Sequence, residues 1–290
     1  LVSNKNSARK KTCVAMLGER DSALLLLGLP LNAAILESQP LTCLENCVLR
    51  QVCRALDARD ADALDSVWRA RLIRGLYSQS RLPEEERLAF TVDGFRNVGR
   101  WRRTCHSLLN DSRVAKARAL TQPHIRMSVG GEDLYGHLVW VEQPCNLAAM
   151  LKLGITSEDL LLARADLTEA IERRKQLRYQ QVYILDISTL CLALYLTDAR
   201  ARKLTDDLCK FCGRYYPEGT YQIYVVNAPL IFKSVYALLS PTLSAATRSK
   251  ICILGGDYIK VMSEQGCFNV LEGGSRLTER ATTRDGEIWC

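Results

Sequence analysis

The chain has 290 residues, 48% of them hydrophobic and 24% charged. These are ordinary globular proportions. The length suggests two domains, or one with a helical appendage, and the composition excludes wholesale disorder and collagen-like repetition. Lys and Arg outnumber Asp and Glu by 39 to 32, a net charge of +7, and no run of 18 apolar residues predicts an integral membrane helix.

In chain order, residues 1–20 are polar and basic and read as loose. Residues 23–36 have the apolar look of a signal core behind Arg9, Lys10 and Lys11. Pro30 and Asn32 interrupt that run, and Glu19, Arg20 and Asp21 precede it, so it reads as a packed helix or loop. The chain opens on Leu1 rather than Met, which leaves targeting open. Residues 41–77 carry no Pro and no Gly before Gly75, and Ala, Leu and Arg dominate, which predicts helices. Pro83-Glu84-Glu85-Glu86 marks another helix start, with acids at the positive end of the dipole. A basic helix follows through Trp101 to about Leu109.

Between Gly94 and Gly131 lie Arg96, Arg100, Arg102, Arg103, Arg113, Lys116, Arg118 and Arg126 against the single acid Asp111, so this stretch carries the whole charge excess. A surface of that sign attracts anionic partners such as phospholipid membranes or nucleic acid. Its plain alternative is a solvated helical face.

Val129-Gly130-Gly131 reads as a breaker and a domain boundary. Beyond it, strand-like and helix-like runs alternate. Leu138-Val139-Trp140-Val141, Val182-Tyr183-Ile184-Leu185, residues 221–226 and Ile251-Cys252-Ile253-Leu254 read as strands. Residues 157–178, with Ser157 as N-cap, 197–212, 229–239 and 258–262 read as helices. This order predicts an α/β fold with a mostly parallel sheet, preceded by an all-helical module. The expected division is residues 1–40, 41–128, 129–277 and a tail at 278–290.

Chemistry-bearing motifs are sparse. There is no GxGxxG after a strand, no GxxxxGK[ST], no GxSxG and no HExxH, so catalysis has no positive signal. Twelve cysteines are spread through the chain, which suits a reducing compartment. Cys209 and Cys212 form a CxxC, open to a redox role or half of a zinc site, although Cys43 and Cys47 are a weak second half. His106, His124 and His137 show no ligand spacing. No metal is expected.

Residues 215–275 carry the specific signal. Tyr216-Pro217-Glu218, the strand running into Asn227-Ala228-Pro229, the helix with Phe232 and Tyr236, Ser240-Pro241, Thr247-Arg248-Ser249-Lys250-Ile251, Leu254-Gly255 and Gly273-Gly274 stand in one order. Upstream, Gly136-His137-Leu138-Val139-Trp140-Val141-Glu142 and the strand ending at Asp186 extend it. This sequence resembles the CRAL-TRIO lipid-binding domains of the phosphatidylinositol-transfer type. The resemblance covers about 140 residues, weakens over 72–103 and is absent from 1–70.

The resemblance implies a bowl whose sheet floors an apolar cavity for one phospholipid. Burying two chains of about sixteen carbons gains roughly 25 kcal/mol gross. Phe232, Val235, Tyr236 and Leu239 then form the cavity side of a gate helix, and Leu230, Ile231 and Leu238 widen its apolar surface. Thr247 and Lys250 match phosphate contacts, and Glu218 matches the acid facing an inositol ring. As an exposed charge, Lys250 is expected to add little to stability.

The sequence also departs from the family pattern. The RFLRAR-like run that places Arg near the headgroup is replaced by Arg74-Gly75-Leu76-Tyr77-Ser78-Gln79, which keeps the first Arg, with Arg81 a substitute. Cys191 and Ala193 stand where the phosphatidylcholine-exchanging members carry hydroxyls, so phosphatidylinositol is the expected ligand. Phe268-Asn269-Val270-Leu271-Glu272 replaces a Pro-containing run and loosens the C-terminal seal.

The expected protein is a non-enzymatic, cytoplasmic, peripherally membrane-associated phospholipid carrier. The basic stretch is its membrane-docking patch, and nucleic acid is not a partner. The rivals are a lipid-free scaffold for a protein such as a small GTPase, and a carrier of a sterol, retinoid or tocopherol.

Overall fold

The structure, a computed structural model, describes residues 37, 39–133, 135–144, 147–175 and 178–264. Readings that fell on 1–36 and 265–290, among them the 23–36 run, Phe268 to Glu272, Gly273-Gly274 and the tail, lie outside the described residues.

Helices come first. They are α1 (Cys43–Arg54), α2 (Ala58–Asp62), α3 (Ser66–Leu72), a π-helical turn (Ile73–Ser78), α4 (Glu84–Leu109) and α5 (Ser112–Thr121). Local chemistry sets their starts. Thr42 caps α1 in a reciprocal box with Glu45, while Asp57, Asp65 and Asp111 accept backbone N–H bonds at the starts of α2, α3 and α5. Each cap satisfies a donor that the helix itself leaves unpaired. Val48, Val52, Leu64, Trp68, Leu72, Ile73, Phe95 and Val98 share one buried cluster in this module.

The second part is a five-stranded sheet in the order β1 (Ile125–Glu132), β2 (Leu138–Pro144), β3 (Gln181–Asp186), β4 (Thr220–Val226), β5 (Ile251–Ile253). β1 runs antiparallel to β2 and the other neighbours are parallel. The connections are α6 (Leu147–Lys152) and α7 (Ser157–Arg174) between β2 and β3, then α8 (Ala193–Thr197) and α9 (Ala199–Tyr215) between β3 and β4. α10 (Phe232–Leu239) and α11 (Ala245–Ser249) join β4 to β5, and α12 (Tyr258–Glu264) follows. In a sheet whose strands follow chain order, crossovers of one hand bring their helices to one face. Leu160 and Leu167 of α7, Ala201 and Leu204 of α9, and Phe232 and Val235 of α10 accordingly share a buried cluster with Leu138, Trp140 and Val225. The alternate strand residues Val139, Val141, Val182, Ile184, Tyr224 and Val226 face the other way, against Tyr258 and Met262 of α12. The α/β class with a mostly parallel sheet is as the sequence predicts.

Four local readings are corrected. Gly130 and Gly131 do not end an element. They lie inside β1, where pairing with β2 is irregular between Val129 and Glu132, and the change from helix to strand falls at Ile125. Thr156, not Ser157, caps α7, and it does so in a box with Asp159. That helix stops at Arg174, because Lys175 turns into extended backbone and its ammonium reaches Glu172 at 2.7 Å and the Tyr179 carbonyl at 3.0 Å. α10 begins at Phe232 rather than Pro229. The three residues before it form a turn closed by the Phe232 N–H on the Pro229 carbonyl at 2.8 Å.

At the amino ends of β2 and β3 a buried histidine joins three segments. His137 Nδ1 lies 2.8 Å from Asp133 Oδ2, and Nε2 lies 2.9 Å from Glu37 Oε1. The second Glu37 oxygen accepts the N–H groups of Tyr179 and Gln180 at 2.9 and 3.0 Å. The Tyr221 ring stacks on the imidazole at 4.1 Å. Burial alone would pull the His137 pKa down, but hydrogen bonds and charge from Asp133 and Glu37 outweigh it and hold the pKa above the ordinary 6.5. A raised histidine pKa stabilises the fold below the unfolded-state value, and that contribution is lost as pH rises through the folded value. In thermal unfolding from about pH 6 to about 9, the wild type should lose stability on the alkaline side. His137→Gln should cost about 3 kcal/mol near pH 6 and abolish that decline. A parallel decline in both proteins would exclude His137 as its source.

Candidate functional site

A pocket of about 540 Å³ opens where the helical module meets the amino ends of β3 and β4. Thr42 and Glu45 of the α1 start, Arg74, Ser78 and Gln79 of the π-turn region, Tyr179 and Gln180 before β3, Tyr221 and Gln222 of β4, and Lys250 line it. Lys250 precedes β5 at the end of α11. Its ammonium donates to Glu218 Oε2 at 2.7 Å and to the Thr220 carbonyl at 2.9 Å. Two of its three donors are thereby engaged, and one is left for a ligand.

Glu218 holds this position at a backbone cost. Its φ is +54°, a left-handed conformation that disfavours side chains, and such strain persists where surrounding contacts impose it. Its loop is gripped from the helical module. Arg71, 1% exposed, donates from Nε to the Pro217 carbonyl at 2.6 Å and from Nη2 to the Tyr216 carbonyl at 3.1 Å, while Nη1 pairs with Glu172 at 3.2 Å. The Tyr216 hydroxyl donates to Glu169 at 2.8 Å and accepts from the Trp101 indole at 2.9 Å.

Of the three residues assigned to headgroup contact, the structure brings the Lys250 and Glu218 side chains together, and only Lys250 is among the pocket-lining residues. Thr247 sits one turn earlier, where the Lys250 N–H meets its carbonyl at 3.1 Å and its hydroxyl lies 2.9 Å from that of Ser244. Arg74 also lines the pocket, but its guanidinium donates to the carbonyls of Glu37 and Gln39 and so holds the wall in place. Arg81 is exposed and is not among the lining residues.

Sequence reasoning missed Glu45 and Tyr179. The Thr42-x-x-Glu45 spacing signals a helix start, but nothing in it shows that the same carboxylate faces a pocket. Burial opposes ionisation of Glu45, but the Thr42 N–H, the hydroxyls of Ser78 and Thr42 and the Arg74 charge hold its carboxyl below the usual range. Two cations, Arg74 and Lys250, thus stand beside two acids, Glu45 and Glu218. Donors for an anion and acceptors for hydroxyls therefore stand side by side.

α10 is two-faced. Phe232 and Val235 are buried among residues of the sheet and α7, and Tyr236 and Leu239 pack beside them. Leu230, Ile231 and Leu238 are exposed at 87, 48 and 51%, an unusual apolar rim for a surface helix. At its base Asn227, with φ +55°, donates to Asp186 Oδ1 at 3.0 Å.

The basic stretch is not the bare patch its composition suggests. Arg96 pairs with Asp93 and Arg102 with Glu169, while Arg103 meets Asp60 at 3.3 Å, Arg113 meets Asp111 at 2.9 Å and Arg118 meets Asp166 at 3.2 Å. Three of those acids lie on α2 and α7, where a count along one stretch cannot see them. Arg102 in particular turns inward. Among the described residues Arg100, Lys116 and Arg126 are exposed without an ion pair.

The CxxC lies within α9, and burial pushes both thiols up, Cys209 and Cys212 each to about 11. That is the opposite of an activated thiol. Cys43 and Cys47 of α1 are exposed. No group of three or more metal-ligating side chains occurs among the described residues, and none of their helices is long and apolar enough to cross a membrane.

Residues 129–266 match the family model of the CRAL/TRIO domain. Over 51 residues the chain is 43% identical to the SEC14 cytosolic factor of Eremothecium gossypii, covering 18% of this chain and 17% of that protein. Over 81 residues it is 32% identical to the phosphatidylinositol/phosphatidylcholine transfer protein SFH11 of Arabidopsis thaliana, covering 28% and 21%. The matched stretches thus span about a fifth or less of these relatives. The crystal structure of Sfh5 shares the fold, with a TM-score of 0.55 at 16% identity over 83% of this chain and 89% of that one.

The geometry changes what is expected of Lys250. Its side chain is 20% exposed and its partner Glu218 13%, so Lys250→Ala should cost about 1–3 kcal/mol by leaving a strained carboxylate unpaired. The double variant Lys250→Met/Glu218→Gln should recover most of that loss in denaturant unfolding, and additive losses would show that the pair is not coupled. In timed alkylation of the folded protein, Cys43 and Cys47 should react at least about tenfold faster than Cys209 and Cys212. Comparable rates would refute the burial account.

Proposed function

We propose that this chain, which carries a CRAL-TRIO domain, binds one phospholipid, phosphatidylinositol by preference, and transfers or presents it between membranes without catalysing a reaction. One observation carries the reading. Lys250 and Glu218, 32 residues apart in sequence, meet at 2.7 Å beside a pocket that Arg74, Lys250 and Glu45 line, which sets a cation for a phosphodiester next to acceptors for a polyol. The names of the relatives support the same ligand class. The cation supplies the phosphate contact, and the unshared Glu218 oxygen and the Glu45 carboxylate accept from ring hydroxyls.

α10 is the gate in this reading. Lifting it exposes Phe232 and Val235, at a cost of about 1.5–3 kcal/mol each in water. At a bilayer the hydrocarbon solvates those side chains and also receives Leu230, Ile231 and Leu238. Docking therefore selects the open form. Arg100, Lys116 and Arg126 supply residual attraction to an anionic, cytoplasm-facing surface, and the protein acts there peripherally.

Protein purified from cells should carry about one phospholipid per chain, chiefly phosphatidylinositol, by mass spectrometry of an organic extract. An extract holding only sterol or other non-inositol lipid would overturn the headgroup assignment. Leu230→Glu/Leu238→Glu should lower vesicle-to-vesicle phosphatidylinositol transfer at least about tenfold while leaving the thermal midpoint within a few degrees, since both residues are exposed. Unchanged transfer would exclude this face from membrane contact.

A further inference from the structure

The loop carrying Glu218 and the π-turn of the helical module fit together through two glycines, one from each side. A Cβ on Gly75 would fall 1.9 Å from Glu218 Cγ, 2.9 Å from its Cδ and 3.1 Å from its Cβ. A Cβ on Gly219 would fall 2.6 Å from Arg71 Nη2. Each part thus lacks a side chain where the other inserts a charged one. The carboxylate of Glu218 lies over Gly75, and the guanidinium of Arg71 lies over Gly219 while binding the carbonyls of Tyr216 and Pro217.

Behind this contact, Glu172 bridges Arg71 and Lys175 at 3.2 and 2.7 Å, and the Lys175 ammonium reaches the Gly219 carbonyl at 3.5 Å. The backbone of Glu218 is left-handed, and its side chain reaches Lys250 at 2.7 Å.

We infer that Gly75 and Arg71 are positioning residues that set the selectivity of the pocket for a polyhydroxyl headgroup, by fixing the Glu218 carboxylate beside Lys250. The inference rests on the phospholipid reading above. A side chain at 75 pushes Glu218 off its seat. The acceptor for ring hydroxyls then leaves, whereas the Lys250 ammonium stays and is less neutralised. Binding of any phosphodiester survives, and preference for the polyol is lost.

The test compares two lipids of equal charge in otherwise identical phosphatidylcholine vesicles, phosphatidylinositol and phosphatidylethanol, the second a phosphodiester without hydroxyls. The wild type should favour phosphatidylinositol by about tenfold or more, the equivalent of one hydrogen bond to a charged group. Gly75→Ala and Arg71→Lys should each bring the two lipids to within about twofold, with phosphatidylethanol binding unchanged or tighter. On a Glu218→Ala background, Gly75→Ala should have little further effect, because the two atoms it displaces most, Cγ and Cδ, are gone and only Cβ remains, at 3.1 Å.

A Gly75→Ala protein that keeps the full preference overturns the inference and leaves the lipid reading standing. An equal loss of both lipids, or an undiminished effect on the Glu218→Ala background, overturns it as well, since both mark a merely structural role. If Gly75→Ala does not fold, the Gly75→Ala/Glu218→Ala protein decides. Folding and binding like Glu218→Ala alone supports the seat, and failure to fold refutes it. A wild type that binds neither lipid refutes both the phospholipid reading and the inference built on it.

Discussion

A buried guanidinium must find a partner for nearly every donor, because each one left unpaired costs a large desolvation penalty. Arg71 meets that demand only where two halves of the chain come together. Its three nitrogens take two loop carbonyls and Glu172, and its face lies 4.1 Å over Trp68. None of those partners can be supplied by its own helix except Trp68. The helical module is therefore tied to the loop before β4, and the aromatic group of Trp68, Trp101, Phe211, Tyr215 and Tyr216 closes around the joint. The Lys250–Glu218 pair and the pocket beside it follow from that docking.

Much of the fold is legible along the chain because its signals are local. Apolar runs such as Val182-Tyr183-Ile184-Leu185 mark buried parallel strands, and acids after Pro83 mark a helix start. β1 escapes because its glycine pair reads as a breaker, while its identity as a strand depends on the antiparallel partner β2. The candidate site divides in the same way. Glu218, Thr247 and Lys250 are recognisable through a family pattern, but the meeting of Glu218 with Lys250 is not implied by any spacing. Arg71, Gly75 and Tyr179 carry no such signal, since each meets a group distant in sequence, and Glu45 shows only as the third residue of a helix start. The basic stretch shows the converse error. A run of like charge looks free until the folded chain brings Asp60, Asp166 and Glu169 to it.

The sheet face that α10 covers is not uniformly apolar. Arg164 of α7 makes a bidentate pair with Glu142 of β2 at 2.7 and 2.8 Å, and the Tyr183 hydroxyl donates to the same carboxylate at 2.7 Å. The side chains form a closed polar island beside Trp140. Breaking such a buried pair on one side leaves an uncompensated charge. It ties α7 to the sheet on the same face that α10 covers.

Two residues without glycine's freedom, Glu218 and Asn227, occupy left-handed backbone at opposite ends of β4. The strand is thus pinned like a bar between two stops, one at the docking loop and the other at the Asp186 carboxylate, which also receives Gln143 from β2 at 3.2 Å. In the gate reading proposed above, bending would fall to the short links on either side of α10, Pro229 to Ile231 and the Ser240–Thr242 turn, rather than to this strand.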